Sequence, residues 1–214
     1  MHRLPLLCIV AVSTVAPLSA QDSTAAGAPG RVCYHARPKP ACTAFFLTNF
    51  GAYLVLGGNG GRESPLRGVV DWGVMANVST RDAIGASVFV SLDEGAFGVG
   101  PAVRYRRWLP GSGSLEVAVG APLVTGLEEM KAGSVFGLVK WNTSDLFAIA
   151  VRPELIRQSV LLGCGPSSCS YADQSRGRVS IGMETGGVPG VVLSSASGIA
   201  ALALVAMVAA GGGN

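Results

Sequence analysis

The chain has 214 residues, of which 49% are hydrophobic, 14% are charged and 30 are glycine, with a formal net charge of +3. That length suits one domain with an appendage, and so little charge would leave a soluble surface poorly hydrated. No clustered basic face with interleaved aromatics is present, so the charge makes no case for a nucleic-acid partner.

Residues 1–20 carry His2 and Arg3, an apolar run from Leu4 to Val15, and the small-residue site Leu18-Ser19-Ala20. This pattern predicts a cleaved secretory signal, because the run is too short to span a bilayer. Cys8 precedes Ile9 and Val10 rather than a small residue, which argues against acylation there. Residues 21–42 read as a leader rich in Ala, Ser, Gly and Thr, followed by a loop between Cys33 and Cys42. Export makes disulfides the expected state of Cys33, Cys42, Cys164 and Cys169. Three connectivities exist in principle. Local pairing of Cys33 with Cys42 and of Cys164 with Cys169 closes two short turns, built on Pro38 and Pro40 and on Gly165 and Pro166. His35 beside Cys33 lacks recognised zinc spacing, so neither a metal nor another cofactor is expected.

Residues 43–187 carry apolar residues at every second position, the period of a strand with one apolar face. Strand one is expected over Thr43 to Leu56, ahead of a Gly-Asn-Gly-Gly loop ending at Pro65. In strand two Leu66, Val70, Trp72, Val74 and Ala76 share one parity, and Arg67, Asp71 and Asn77 the other. In strand three Ile84, Ala86, Val88, Val90 and Leu92 oppose Ala83, Gly85, Ser87 and Ser91, with Phe89 out of place. In strand four Phe97, Val99, Val103 and Tyr105 oppose Gly98, Gly100, Arg104 and Arg106. Trp108 breaks this parity, which calls for a bulge near Arg106 and Arg107 or an inward ring. Strands five to eight are expected over Ser114–Val124, Lys131–Trp141, Asp145–Ile156 and Arg176–Glu184. The fold class is therefore all-β, an eight-stranded antiparallel up-and-down barrel with an apolar, helical C-terminal tail.

The connections after strands one, three, five and seven hold about 9, 4, 6 and 19 residues, and those after two, four and six about 4, 4 and 3. Alternate connections of such a barrel lie at opposite ends, so the longer set falls together. The chain thus resembles, in architecture, the small eight-stranded outer-membrane barrels of the outer-membrane protein A and X types. The resemblance covers about Thr43 to Glu184 and rests on strand number, alternation and loop asymmetry. It implies periplasmic short turns and chain termini, external long loops, membrane lipid as a partner and an aromatic girdle. Trp108, Trp141, Phe45 and Phe147 are the girdle candidates, near the periplasmic rim. Such barrels usually finish on a strand with a terminal aromatic, and here the chain runs on. Residues 188–214 form an apolar tail, uncharged from Val188 to Ala210 and long enough as a helix to cross a bilayer. A strongly hydrophobic helix would hold an exported protein in the inner membrane. The abundant alanine and the serines leave this one weakly hydrophobic, fit to pack on the barrel or to pair with another helix.

An eight-stranded barrel is filled by its own side chains. The polar parity supplies Arg67, Asp71, Arg104, Arg106, Glu116, Lys140, Arg152, Glu154, Arg178 and Glu184 as lumen charges, and buried charges must pair. Their basic excess predicts at least one cation reaching water or lipid phosphate. Catalysis is not expected. His35, the one histidine beyond the signal, sits before strand one, away from the outer leaflet where a lipid-modifying hydrolase would work, and Asp173 and Ser175 lack a partner base. The glycine run from Gly57 lacks the Lys-Ser/Thr of a phosphate loop, and Glu128-Glu129 offers too few oxygens for calcium.

The function expected is a non-enzymatic outer-membrane barrel, structural or recognising an extracellular partner through Gly57–Pro65 and Arg157–Ser175. The alternatives are a lipocalin-like periplasmic barrel, binding an apolar ligand and anchored to the inner membrane by its tail, and a lipid-modifying outer-membrane enzyme.

Overall fold

The computed structural model describes residues 30–56, 66–93, 96–111, 113–126, 134–164 and 169–195. The expected signal, the Gly57–Pro65 loop, Glu128-Glu129 and most of the apolar tail lie outside them.

Ten strands arise in chain order: β1 (Val32–Cys33), β2 (Ala44–Leu56), β3 (Leu66–Asn77), β4 (Asp82–Asp93), β5 (Ala96–Trp108), β6 (Ser114–Gly120), β7 (Val124–Gly126), β8 (Val135–Asn142), β9 (Phe147–Cys164) and β10 (Cys169–Thr185). Each long strand pairs antiparallel with the next, and β10 returns to β2, with Leu56 opposite Val179 and Phe50 opposite Thr185. The sheet therefore closes into an eight-stranded barrel. The segment β7 continues the path of β6 along β5, which keeps the number at eight. The strand expected without a break over Ser114–Val124 is interrupted at Ala121–Leu123, where Pro122 has no N–H to donate. Backbone bonds from Ala121 to Pro101 and from Leu123 to Val99 carry the pairing across the break.

The largest departure from the sequence expectation is at the β9–β10 hairpin. The connection after Ile156 is not a 19-residue loop. Both strands continue past the barrel in register as far as Cys164 and Cys169, with one irregularity at Ser170/Tyr171. Beyond the barrel wall Gly163, Cys164, Ser170 and Asp173–Ser175 are exposed. Consecutive exposed residues such as Asp173–Ser175 carry no alternation to reveal a strand.

Outward rows are apolar and inward rows polar, small or aromatic, as the pleat requires. Outward Val103, Val119 and Leu123 are 70%, 66% and 73% exposed. Two apolar layers interleave with the charges inside, one of Phe45, Leu47, Met75 and Ala83, the other including Tyr53, Phe89, Phe136 and Leu138. Phe89 thus keeps its strand's alternation by pointing inward. Trp108 does the same, and β4 and β5 run in unbroken register past Arg106 and Arg107, so no bulge exists there.

After β10 the chain turns at Gly186-Gly187, where Gly187 has φ +59°, a conformation glycine adopts without a steric penalty. A single helix, α1 (residues 187–195), then crosses the outer wall. Gly190 seats it, since a Cβ there would lie 2.0 Å from the carbonyl oxygen of Thr48 on β2. Trp72 on β3 donates its Nε1 hydrogen to Ser194 Oγ at 3.2 Å. No helix among the described residues is long and apolar enough to cross a membrane, which says nothing of crossing by strands.

Candidate functional site: the charged lumen and its plug

All ten predicted lumen charges lie on inward rows, and none is more than 7% exposed. Strand register brings them together in two groups. Arg106 on β5 stands directly opposite Glu116 on β6, and Glu116 directly opposite Lys140 on β8. Arg106 donates to Glu116 Oε2 from Nε at 2.8 Å and from Nη2 at 2.5 Å, while Arg104 Nη1 reaches Oε1 at 2.5 Å. Lys140 Nζ lies 3.2 Å from Glu116 and 2.8 Å from Glu184, whose other oxygen accepts from the Tyr53 hydroxyl. Asp71 completes the group, 2.6 Å from Arg104 Nη2 and accepting from Ser87, whose own oxygen accepts from Arg104 Nε at 2.8 Å.

The second group centres on Glu154. Arg178, directly opposite on β10, donates to Oε2 at 3.0 and 2.7 Å, and Arg152 donates to Oε1 at 2.7 Å. Arg67 reaches Oε2 from β3. The Arg152 guanidinium lies 3.6 Å from the centre of the Phe136 ring, which meets Phe89 edge-on. Aromatic faces carry negative charge density, so they complement this cation-rich layer. Six cations face four carboxylates here, so the basic excess of the sequence persists in the lumen. Each of the six cations reaches a carboxylate, because Glu116 and Glu154 each serve three.

No family model, curated protein or solved structure matches the chain. What the lumen does has to be argued from its own chemistry.

The end that carries the turns 79–82, 110–113 and 143–146 is closed by the segment before β2. There β1 pairs parallel with Ala44 and Phe45, and a Cys33–Cys42 disulfide closes the loop between them. Asn77 Nδ2 donates to the carbonyls of Arg37 and Cys42 at 2.7 and 2.9 Å, and Asn77 Oδ1 accepts from Trp108 Nε1 at 3.0 Å. His35 Nδ1 and the Ala36 amide meet the two carboxylate oxygens of Asp145 at 2.8 and 3.1 Å, tying the plug to the β8–β9 turn. Arg106 stacks over Phe45 and Trp108 at 5.1 and 5.4 Å, joining plug to lumen.

Two of the four girdle candidates therefore belong inside: Phe45 is fully buried and Trp108 packs on it, whereas Trp141 and Phe147 stand on the outer wall. Residues outside the predicted set of lumen charges, Asn77, Asp145 and Tyr53, carry much of the polar structure. Asn77 and Tyr53 fall on the inward parity; nothing in the sequence marks Asp145 as the partner of His35. Of the second cysteine pair, Cys164 is disulfide-bonded, and the backbone sets it opposite Cys169, whose side chain is outside the described residues. Among the described residues no group of three or more His, Cys, Asp or Glu is arranged to hold a metal. Chemically the lumen is a network of buried ion pairs, in which cationic donors take up the acceptor oxygens of Glu116 and Glu154.

Proposed function

We propose that this chain is a non-enzymatic outer-membrane β-barrel, with a structural or surface-recognition role carried by the projecting β9–β10 hairpin. The observation that supports it is the inside-out distribution of side chains. A closed barrel with charges within and a continuous apolar outer wall is what a lipid environment demands and what water penalises. A lipocalin-like reading needs the reverse, an apolar interior and a hydrophilic exterior, and the filled, charged lumen gives an apolar ligand no room. Against a lipid-modifying enzyme stands the placement of His35, bound to Asp145 at the plug end, opposite the long hairpin.

The test is gel mobility of unboiled and boiled protein recovered from separated outer and inner membranes. A heat-shifted band in the outer fraction is expected. An unshifted band confined to the inner fraction would overturn the reading and make the tail the anchor. The recognition role is tested separately by trimming residues 157–175 to a tight turn. Partner binding at the cell surface should fall while the heat shift remains, and unchanged binding would remove the hairpin from that role.

A further inference from the structure

The lumen's basic excess is not spread evenly. In the plug half Arg104, Arg106 and Lys140 meet Asp71, Glu116 and Glu184, three cations against three carboxylates. In the hairpin half Arg67 and Arg152 meet Glu154 and no second carboxylate among the described residues, and Glu154 also serves Arg178. With Arg178 set aside, Glu154 is the one carboxylate among the described residues for two cations in a low-dielectric interior, where an unbalanced charge is costly.

Two further observations fall at the same place. The Arg67 side chain is 2% exposed, yet its Nε–H has no acceptor among the described residues. A small pocket with room for a single water-sized particle lies against Arg67, Arg152, Ser91 and Ser134, with Glu154 also on its wall, at the end of the barrel that carries the long hairpin. Water in that cavity would supply an acceptor but no charge. A phosphate or a lipid head group is too large for it. A monatomic monovalent anion meets both needs, accepting from Arg–N–H groups and cancelling the excess.

We propose that the cavity bounded by Arg67 and Arg152 is a halide site, occupied by chloride in saline media. The inference concerns the folded barrel alone and does not depend on where the protein resides.

Crystals of the folded full-length chain grown in bromide test it directly. Anomalous density is expected between the Arg67 and Arg152 guanidiniums, and it should vanish in Arg67→Met. Arg67→Lys keeps the charge and removes the Nε donor, so it covers the case in which Arg67→Met fails to fold. Its bromide affinity, read from the halide dependence of the melting temperature at constant ionic strength with gluconate as the balancing anion, should fall about tenfold or more. Water density without an anomalous signal would overturn the proposal. So would a bromide peak of the same occupancy in wild type and in Arg67→Lys, or a melting temperature indifferent to the choice of bromide or gluconate.

Discussion

Glu116 has the most to lose from a single substitution. Its carboxylate is fully buried and accepts from Arg104 and Arg106 beside Lys140. Glu116→Gln removes the charge and leaves three cations around a neutral amide. Breaking a buried network in this way costs about 3–5 kcal/mol. The unfolding midpoint in urea should fall accordingly, with the slope unchanged. Arg107 offers the contrast, since its 3.7 Å contact with Asp82 is exposed, and Arg107→Ala should shift the same midpoint by at most about 1 kcal/mol. The inward position of the ten charges is legible from the alternation alone, because a period of two admits one inward set once the apolar row faces out. The identity of the partners is not. Arg67 and Glu154 are separated by 87 positions and meet only because the closed sheet brings their rows together across the lumen. The aromatics mislead for a related reason. Phe45, Phe89 and Trp108 suit an interior that stacks guanidinium groups on rings, and hydrophobicity does not distinguish that setting from lipid.

At the level of elements, the plug and α1 are attachments to the barrel, and each has its own test. The Cys33–Cys42 disulfide closes a loop of sequence separation 9, for which loss of the cross-link costs about 2–4 kcal/mol. Cys33→Ser with Cys42→Ser should therefore lower the midpoint while the barrel strands persist by circular dichroism. Asp145→Asn leaves the disulfide intact and weakens the tie to His35, and should speed hydrogen exchange at the Ala36 amide without altering the lumen. For α1 the sensitive position is Gly190. Gly190→Leu would put a Cβ 2.0 Å from the Thr48 carbonyl oxygen, so the helix must lift from the wall. Trp72, released from Ser194, should then change its fluorescence emission, and an unchanged spectrum would show that the helix keeps its seat. Glycine and serine in the tail hint at close packing, but no residue in the sequence says which strands receive the helix. Only the turn at Gly187 sends it back over β2 and β3.

For the whole molecule, closure of the sheet pairs each long strand of the barrel with a neighbour on either side, while β1, β7 and the β9–β10 extension pair on one side only among the described residues. Strand number and the inside-out wall follow from a pattern written along the sequence. The length of that hairpin does not, because consecutive exposed residues such as Asp173–Ser175 show no alternation. The barrel is closed by β10 meeting β2, the last and the first of its long strands. Helix α1 leaves β10, passes over β2 and fastens to Trp72 on β3, so it lies across the seam from outside like a buckle. Its seat is assembled from both sides of that seam and exists only once the circle is complete. Helix α1 thus distinguishes a finished cylinder from an open sheet, and Trp72 is the residue that registers the difference.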